Sequence, residues 1–69
     1  MLDFTLRRKM ARVIRQLAQE LHISDARAIV VFYSTETSRL MRIPKYCIGC
    51  QSDTYIVNDI MRELQDRQG

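Results

Sequence analysis

Cys47 and Cys50 are the residues of this chain whose type and spacing most directly suggest chemistry, because they form a Cys-x-x-Cys motif. Two thiolates at this spacing can bind one zinc ion, but a structural zinc site needs four ligands. The sequence has one histidine, His22, and no second pair of cysteines. A thioredoxin-like redox role requires the motif at a helix N-terminus in an α/β fold, and that pattern is missing. We favour packing thiols in a loop, with zinc binding across a homodimer and a redox role as alternatives.

No other residues form a recognisable catalytic group. No His, Cys or Ser lies in a nucleophile setting, and no Gly-rich phosphate loop is present. The carboxylates are scattered over predicted helical surfaces and suggest no acid/base pair. His22 lies between two predicted helices and is interpreted as a loop or cap histidine. We therefore expect no enzyme activity, no cofactor and no metal.

A concentration of basic residues near the N-terminus gives the chain its positive field, with a net charge of +3. Arg8, Arg12 and Arg15 fall on one side of a predicted helix, opposite its apolar residues. A phosphate backbone, an anionic membrane surface or an acidic protein face would each be attracted to them. No clear helix-turn-helix accompanies them, so nucleic-acid binding is an alternative function rather than the first. The simplest interpretation is a solvated helix face.

The length of 69 residues leaves room for one domain, residues 1–69, with a single small core. Two glycines and one proline supply few turns, which disfavours a multi-stranded sheet. No apolar run approaches the roughly 18 residues of a membrane span, and no secretory signal is recognisable. We expect a cytoplasmic protein with reduced thiols. Such a small core also suggests stabilisation by a partner chain.

The first two elements are predicted to be helices over residues 4–21 and 25–34. The first has one continuous apolar stripe, and Ser24 is placed to cap the second. Residues 28–33 are apolar throughout and are also compatible with a buried strand. The cap favours a helix, which we expect to be the central and most buried element because it is apolar on nearly every side.

A short third helix is predicted over residues 36–42, followed by a loop over 43–51. Pro44 disfavours helical backbone in the residue before it. Ser52 is predicted to cap the last helix, which frays by about Gln65. The chain is thus predicted to be all-α, a small bundle of three longer helices plus one short helix. Its predicted core consists of Met10, Ile14, Leu17, Leu21, Ile29, Val30, Phe32, Leu40, Ile56, Val57, Ile60 and Leu64.

Two segments also carry a family resemblance: Leu-Ala-Gln-Glu-Leu-His-Ile-Ser at residues 17–24, and Tyr-Ile-Val-Asn-Asp-Ile at residues 55–60. Over about residues 12–65 the chain resembles an uncharacterised family of short bacterial all-α proteins. Members are often encoded beside ADP-ribosyltransferase-like proteins, in an arrangement suggestive of toxin–antitoxin pairs. A Leu-His-Thr-Gln-like entry to the last helix is replaced here by residues 48–51, Ile-Gly-Cys-Gln, so no role for that histidine can be transferred.

The resemblance implies a binding module, the antitoxin-like or regulatory partner of a second protein, and offers no catalytic residue. The expected function is therefore protein–protein interaction, with a homo-oligomer as a further possibility. Loops carry binding residues more often than cores do. For that reason we predict the contact surface at Lys45, Tyr46, Cys47 and Cys50. The alternative is a small basic protein that binds nucleic acid through Arg8, Arg12 and Arg15.

Overall fold

Four helices make up the described part of the chain. The computed structural model describes residues 4–43 and 51–68. Its helices are α1 (Phe4–Leu21), α2 (Asp25–Tyr33), α3 (Glu36–Met41) and α4 (Asp53–Gln68). No strand occurs in these two ranges, so residues 28–33 are helical. The prediction of a small all-α bundle with three longer helices and one short helix is confirmed.

A left-handed residue ends α1 and turns the chain toward α2. His22 has a φ of 57°. Its N–H donates to the carbonyl of Gln19 at 3.3 Å, and the N–H of Ile23 donates to the carbonyl of Ala18 at 3.0 Å. This pair of bonds is the Schellman arrangement, which satisfies carbonyls that a helix end leaves free. The connection to α2 is consequently only three residues long.

Serine hydroxyls cap α2 and α4 as the sequence predicted. The Ser24 Oγ accepts from the N–H of Arg27 at 3.2 Å. The Ser52 Oγ accepts from the N–H of Tyr55 at 3.1 Å. Each bond satisfies one of the N–H groups that have no partner inside the helix. Both helix starts are therefore set by local sequence.

The start of α3 depends on a distant residue. The Thr35 Oγ1 accepts from the N–H of Ser38 at 3.2 Å. The Glu63 carboxylate of α4 accepts from the N–H of Glu36 at 2.6 Å and from the N–H of Thr37 at 3.2 Å. Three N–H groups of the first turn thus have side-chain acceptors. A helix of six residues is too short to be stable alone, so α4 holds it in place.

The last helix continues to Gln68 instead of fraying by about Gln65, so that prediction was wrong. Arg67 explains the difference. Its guanidinium donates to the Ser34 Oγ at 3.2 Å and to the Ser34 carbonyl, and it lies 3.3 Å from the Glu63 carboxylate. These contacts tie the final turn of α4 to the C-terminal end of α2.

The hydrophobic core lies where α1 meets α2 and α4, and α3 adds one apolar residue to it. Six predicted core residues are buried, and Ile14, Leu21, Leu40 and Leu64 are half-buried. The prediction omitted four small or flexible residues that are also buried: Val13, Ala18, Ala28 and Met41. The six correct ones are Met10, Leu17, Phe32, Ile56, Val57 and Ile60.

The prediction that α2 is the most buried element was wrong. Ile29 and Val30, both placed in the predicted core, are 45% and 71% exposed, and Tyr33 is 47% exposed. Only Ala28 and Phe32 of this helix are buried. A helix is enclosed only when neighbours cover every side. Among the described residues α1 and α3 pack against α2, while its opposite side leaves Ile29, Val30 and Tyr33 exposed.

Candidate functional site

The loop residues that the sequence suggested for partner binding lie outside the described residues. They are Lys45, Tyr46, Cys47 and Cys50, all within 44–50. Their placement stays a prediction, as do the packing, zinc-binding and redox interpretations of the two cysteines. Two other surfaces of the described chain carry the features of a binding site.

The first surface is the basic face of α1, formed by Arg8, Arg12 and Arg15. All three are exposed on one side of the helix, as the helical spacing predicted, and they line one open depression of about 600 Å³. The Arg8 guanidinium lies 5.6 Å from the centroid of the Phe4 ring. Arg15 has no carboxylate within ion-pair distance among the described residues.

Asp53, the first residue of α4, neutralises part of this basic face. Its carboxylate lies 2.9 Å from both the Arg12 Nε and the Lys9 Nζ. Hydrogen bonds from Arg12, and then from Lys9, lower the pKa of Asp53 below its ordinary value. Arg12 therefore already forms an ion pair within the chain. Arg8 and Arg15 form no ion pair with a described residue, so their guanidinium groups can bind an external anion.

The second surface is the α2 face, formed by Ile29, Val30 and Tyr33. These three side chains lie on the side of the helix away from the buried Ala28 and Phe32. Large apolar side chains grouped on the surface of a soluble domain typically mark an interaction site. Sequence reasoning missed this surface, although the signal was present. A nine-residue helix with apolar residues on nearly every side has more apolar surface than the other helices of a 69-residue chain can bury.

A shallow groove extends the α2 face toward α1. It encloses about 210 Å³ and is lined by Arg7, Met10, Ala11, Ile14 and Tyr33. Small-molecule sites usually measure about 300–1,000 Å³, so this groove fits one or two side chains better than a cofactor.

Two arginines border the same end of the α2 face. The Arg42 guanidinium lies 5.3 Å from the centroid of the Tyr33 ring, in the geometry of a cation–π contact. Arg7 lines the groove beside Tyr33. Neither arginine forms an ion pair with a described residue. This end of the face is therefore apolar and positively charged at once.

The described residues hold no group of three or more His, Cys, Asp or Glu that could bind a metal. His22 is exposed in the turn between α1 and α2, as the sequence predicted. Within the same ranges, none of the helices combines the length and apolarity needed to cross a membrane. What the surfaces offer chemically is apolar contact and positive charge, which suit binding.

Comparison with known proteins gave no relative: no protein-family model, curated protein or solved structure matches the chain.

Proposed function

We propose that this chain is a small protein–protein interaction module that binds through the α2 face. The observation that carries the proposal is the grouped exposure of Ile29, Val30 and Tyr33 on one helix. Burying apolar surface yields roughly 25 cal/mol per Å², so leaving three such side chains in water forgoes stabilisation that a partner would recover. The family resemblance of residues 17–24 and 55–60 supports the sharper form of the function, an antitoxin-like or regulatory partner of a second protein.

A tagged pull-down with a matched pair of variants tests this function. Val30→Glu places a charge in the α2 face, and Gln65→Glu places the same charge on the exposed surface of α4. Each tagged chain is recovered from its native host after nuclease treatment and analysed by mass spectrometry and ultraviolet absorbance. A stoichiometric protein partner, including an untagged copy of this chain, should accompany the wild type and Gln65→Glu and be lost with Val30→Glu. A partner that persists with Val30→Glu would refute the α2 face as the binding surface.

Nucleic-acid binding is the second candidate, supported by the convergence of Arg8, Arg12 and Arg15 on one depression. Each phosphate that an arginine neutralises adds salt-dependent affinity. Changing all three residues to Gln should abolish salt-sensitive binding of a labelled duplex and a labelled single strand, followed by fluorescence anisotropy at two salt concentrations. Arg12→Gln alone should have the smallest effect, because Asp53 already engages Arg12. Nucleic acid that co-purifies without a protein partner and disappears with nuclease would favour this function over the first.

A further inference from the structure

We propose that the partner covering the α2 face is a second copy of this chain, with the two α2 helices packed antiparallel about a twofold axis. This inference rests on the proposed function and names the occupant of its surface. It follows from the way apolar residues and charges are arranged along α2.

The middle of the face is apolar and allows another helix to approach closely. Positions 26, 29, 30 and 33 of a helix turning about 100° per residue share one side. In α2 these are Ala26, Ile29, Val30 and Tyr33, and all four are exposed. The small side chain of Ala26 leaves room beside Val30 for a side chain of a facing helix. Such interdigitation of ridges and grooves is how helices pack.

The two ends of the face carry opposite charges. Arg42 and Arg7 lie at the C-terminal end, beside Tyr33. Asp25, the first residue of α2, lies at the N-terminal end and is exposed. Arg27 is exposed near the same end, but it projects about 160° away from Asp25 around the helix, off the ridge that Asp25 begins. Arg42, Arg7 and Asp25 form no ion pair with a described residue. Asp25, Ile29 and Tyr33 are spaced by four residues, so they form a single ridge from the acidic end to the basic end.

An antiparallel twofold arrangement matches these ends to each other. In such an interface the same patch is used by both copies, so every contact occurs twice. With the axis near Ile29 and Val30, Asp25 of each copy comes beside Tyr33 and Arg42 of the other. The helix spans nine residues, or about 13 Å, so both charge pairs form within one short interface. A parallel arrangement would instead set Arg42 against Arg42.

The size of the face sets the expected affinity. One short helix and its groove bury less than the roughly 800 Å² per partner of a standard interface. We therefore expect a dissociation constant in the micromolar range or weaker, on the order of 10⁻⁶ to 10⁻⁴ M. Sedimentation equilibrium from about 1 μM to 1 mM covers that range.

The test is a charge swap read by sedimentation equilibrium on the full chain. Asp25→Arg and Arg42→Glu should each raise the dissociation constant of the dimer, by roughly three- to tenfold. The double variant Asp25→Arg/Arg42→Glu restores opposite charges across the axis and should return the constant to near its wild-type value. Arg62→Glu makes the same charge change on the solvent side of α4, where the side chain is 73% exposed, and should leave the constant unchanged.

Val30→Glu should abolish the dimer while the chain stays folded by circular dichroism, because Val30 is already exposed in the single chain. Arg42→Glu also removes the hydrogen bond from Arg42 to the Ser38 carbonyl. That local loss remains in the double variant, so recovery of the dimer there shows that the charges pair across the axis.

A chain that stays monomeric at 1 mM overturns the inference. So does a dimer whose dissociation constant is unchanged by Val30→Glu and by the charge swap. If a monomeric chain still captures another protein that Val30→Glu releases, this inference fails while the proposed function stands.

Discussion

Glu63 joins two helices that are distant in sequence by acting as an N-terminal cap for α3. Its carboxylate accepts from two backbone N–H groups and from the Thr37 hydroxyl, and it pairs with Arg67. Without it the N–H groups of Glu36 and Thr37 lose their side-chain acceptors, and loss of a helix cap costs about 0.5–2 kcal/mol. We expect Glu63→Ala to lower the free energy of unfolding by about 1 kcal/mol in urea denaturation followed by circular dichroism.

Asp59 provides the control for this substitution. It lies on the same helix one turn earlier, and among the described residues its one ion pair is a 3.7 Å approach to the exposed Arg62. Surface pairs of this kind contribute about 0–1 kcal/mol. Asp59→Ala should therefore change the stability by less than about 0.5 kcal/mol. Equal losses for the two variants would contradict the capping role of Glu63.

Asp53 should make the stability depend on pH at the acid end. Arg12 and Lys9 hold its pKa in the folded chain below the value that it has when unfolded. The stabilisation from ionised Asp53 is therefore complete above the unfolded pKa, about 4, and is lost as the pH falls through the lower folded pKa. The free energy of unfolding, measured from pH 6 to pH 2, should fall less steeply for Asp53→Asn than for the wild type.

Glu36 is the matched comparison for this titration. The Arg39 guanidinium hydrogen-bonds to it and lowers its pKa too, but both side chains are more than half exposed and the pair is screened by water. Glu36→Gln should consequently flatten the acid limb less than Asp53→Asn does. The reverse order would show that the Asp53 cluster is not the main acid-sensitive contact.

At the scale of elements, α2 presents one buried side and one bare side. Val30 is 71% exposed on the bare side, while Val57 of α4 is fully buried. Val57→Ala removes buried methyl groups and leaves a cavity, so it should lower the free energy of unfolding by about 2 kcal/mol. Val30→Ala should change it by less than about 0.5 kcal/mol in dilute solution. Comparable losses in chemical denaturation would contradict the observed orientation of α2.

The same contrast explains how much of the fold the sequence could predict. The stripe of α1 and the caps Ser24 and Ser52 are local signals, because a polar face or a hydroxyl marks the position directly. The inward side of α2 could not be predicted, since no polar side chain marks which of Ile29 and Phe32 faces out. The core role of Ala28 depends on a neighbouring helix that lies close, which side-chain size alone does not reveal.

Of the two candidate surfaces, the basic face could be predicted from local sequence and the α2 face could not. The basic face follows from helical spacing within one element, so Arg8, Arg12 and Arg15 were predicted together and do line one depression. The α2 face depends on which elements fail to cover α2, and that is a property of the assembled bundle. The bond from Glu63 to α3 likewise joins residues 26 and 27 positions apart, beyond the reach of any local pattern.

For the molecule as a whole, stability should be unevenly distributed. The apolar core is built from α1, α2 and α4, to which α3 adds only Met41, and the other contacts of α3 are largely polar. Segments with few buried apolar contacts open locally at lower free energy than the whole domain. In native-state hydrogen exchange, the amides of Leu40 and Met41 should exchange faster than those of Leu17 and Ile60. Equal protection would mean that α3 unfolds only together with the rest of the chain.

The left-handed backbone at His22 bears on how freely this sequence can change over evolutionary time. In that conformation a residue with a Cβ atom is less stable than glycine by roughly 1 kcal/mol. His22→Gly should therefore raise the free energy of unfolding by about 1 kcal/mol, measured by urea denaturation, and an unchanged or lower value would refute the strain. A typical substitution destabilises a protein by about 1 kcal/mol. The stability gained from glycine at position 22 would therefore offset the loss from one average substitution elsewhere. A lineage that acquired this glycine could accept such a substitution and remain folded.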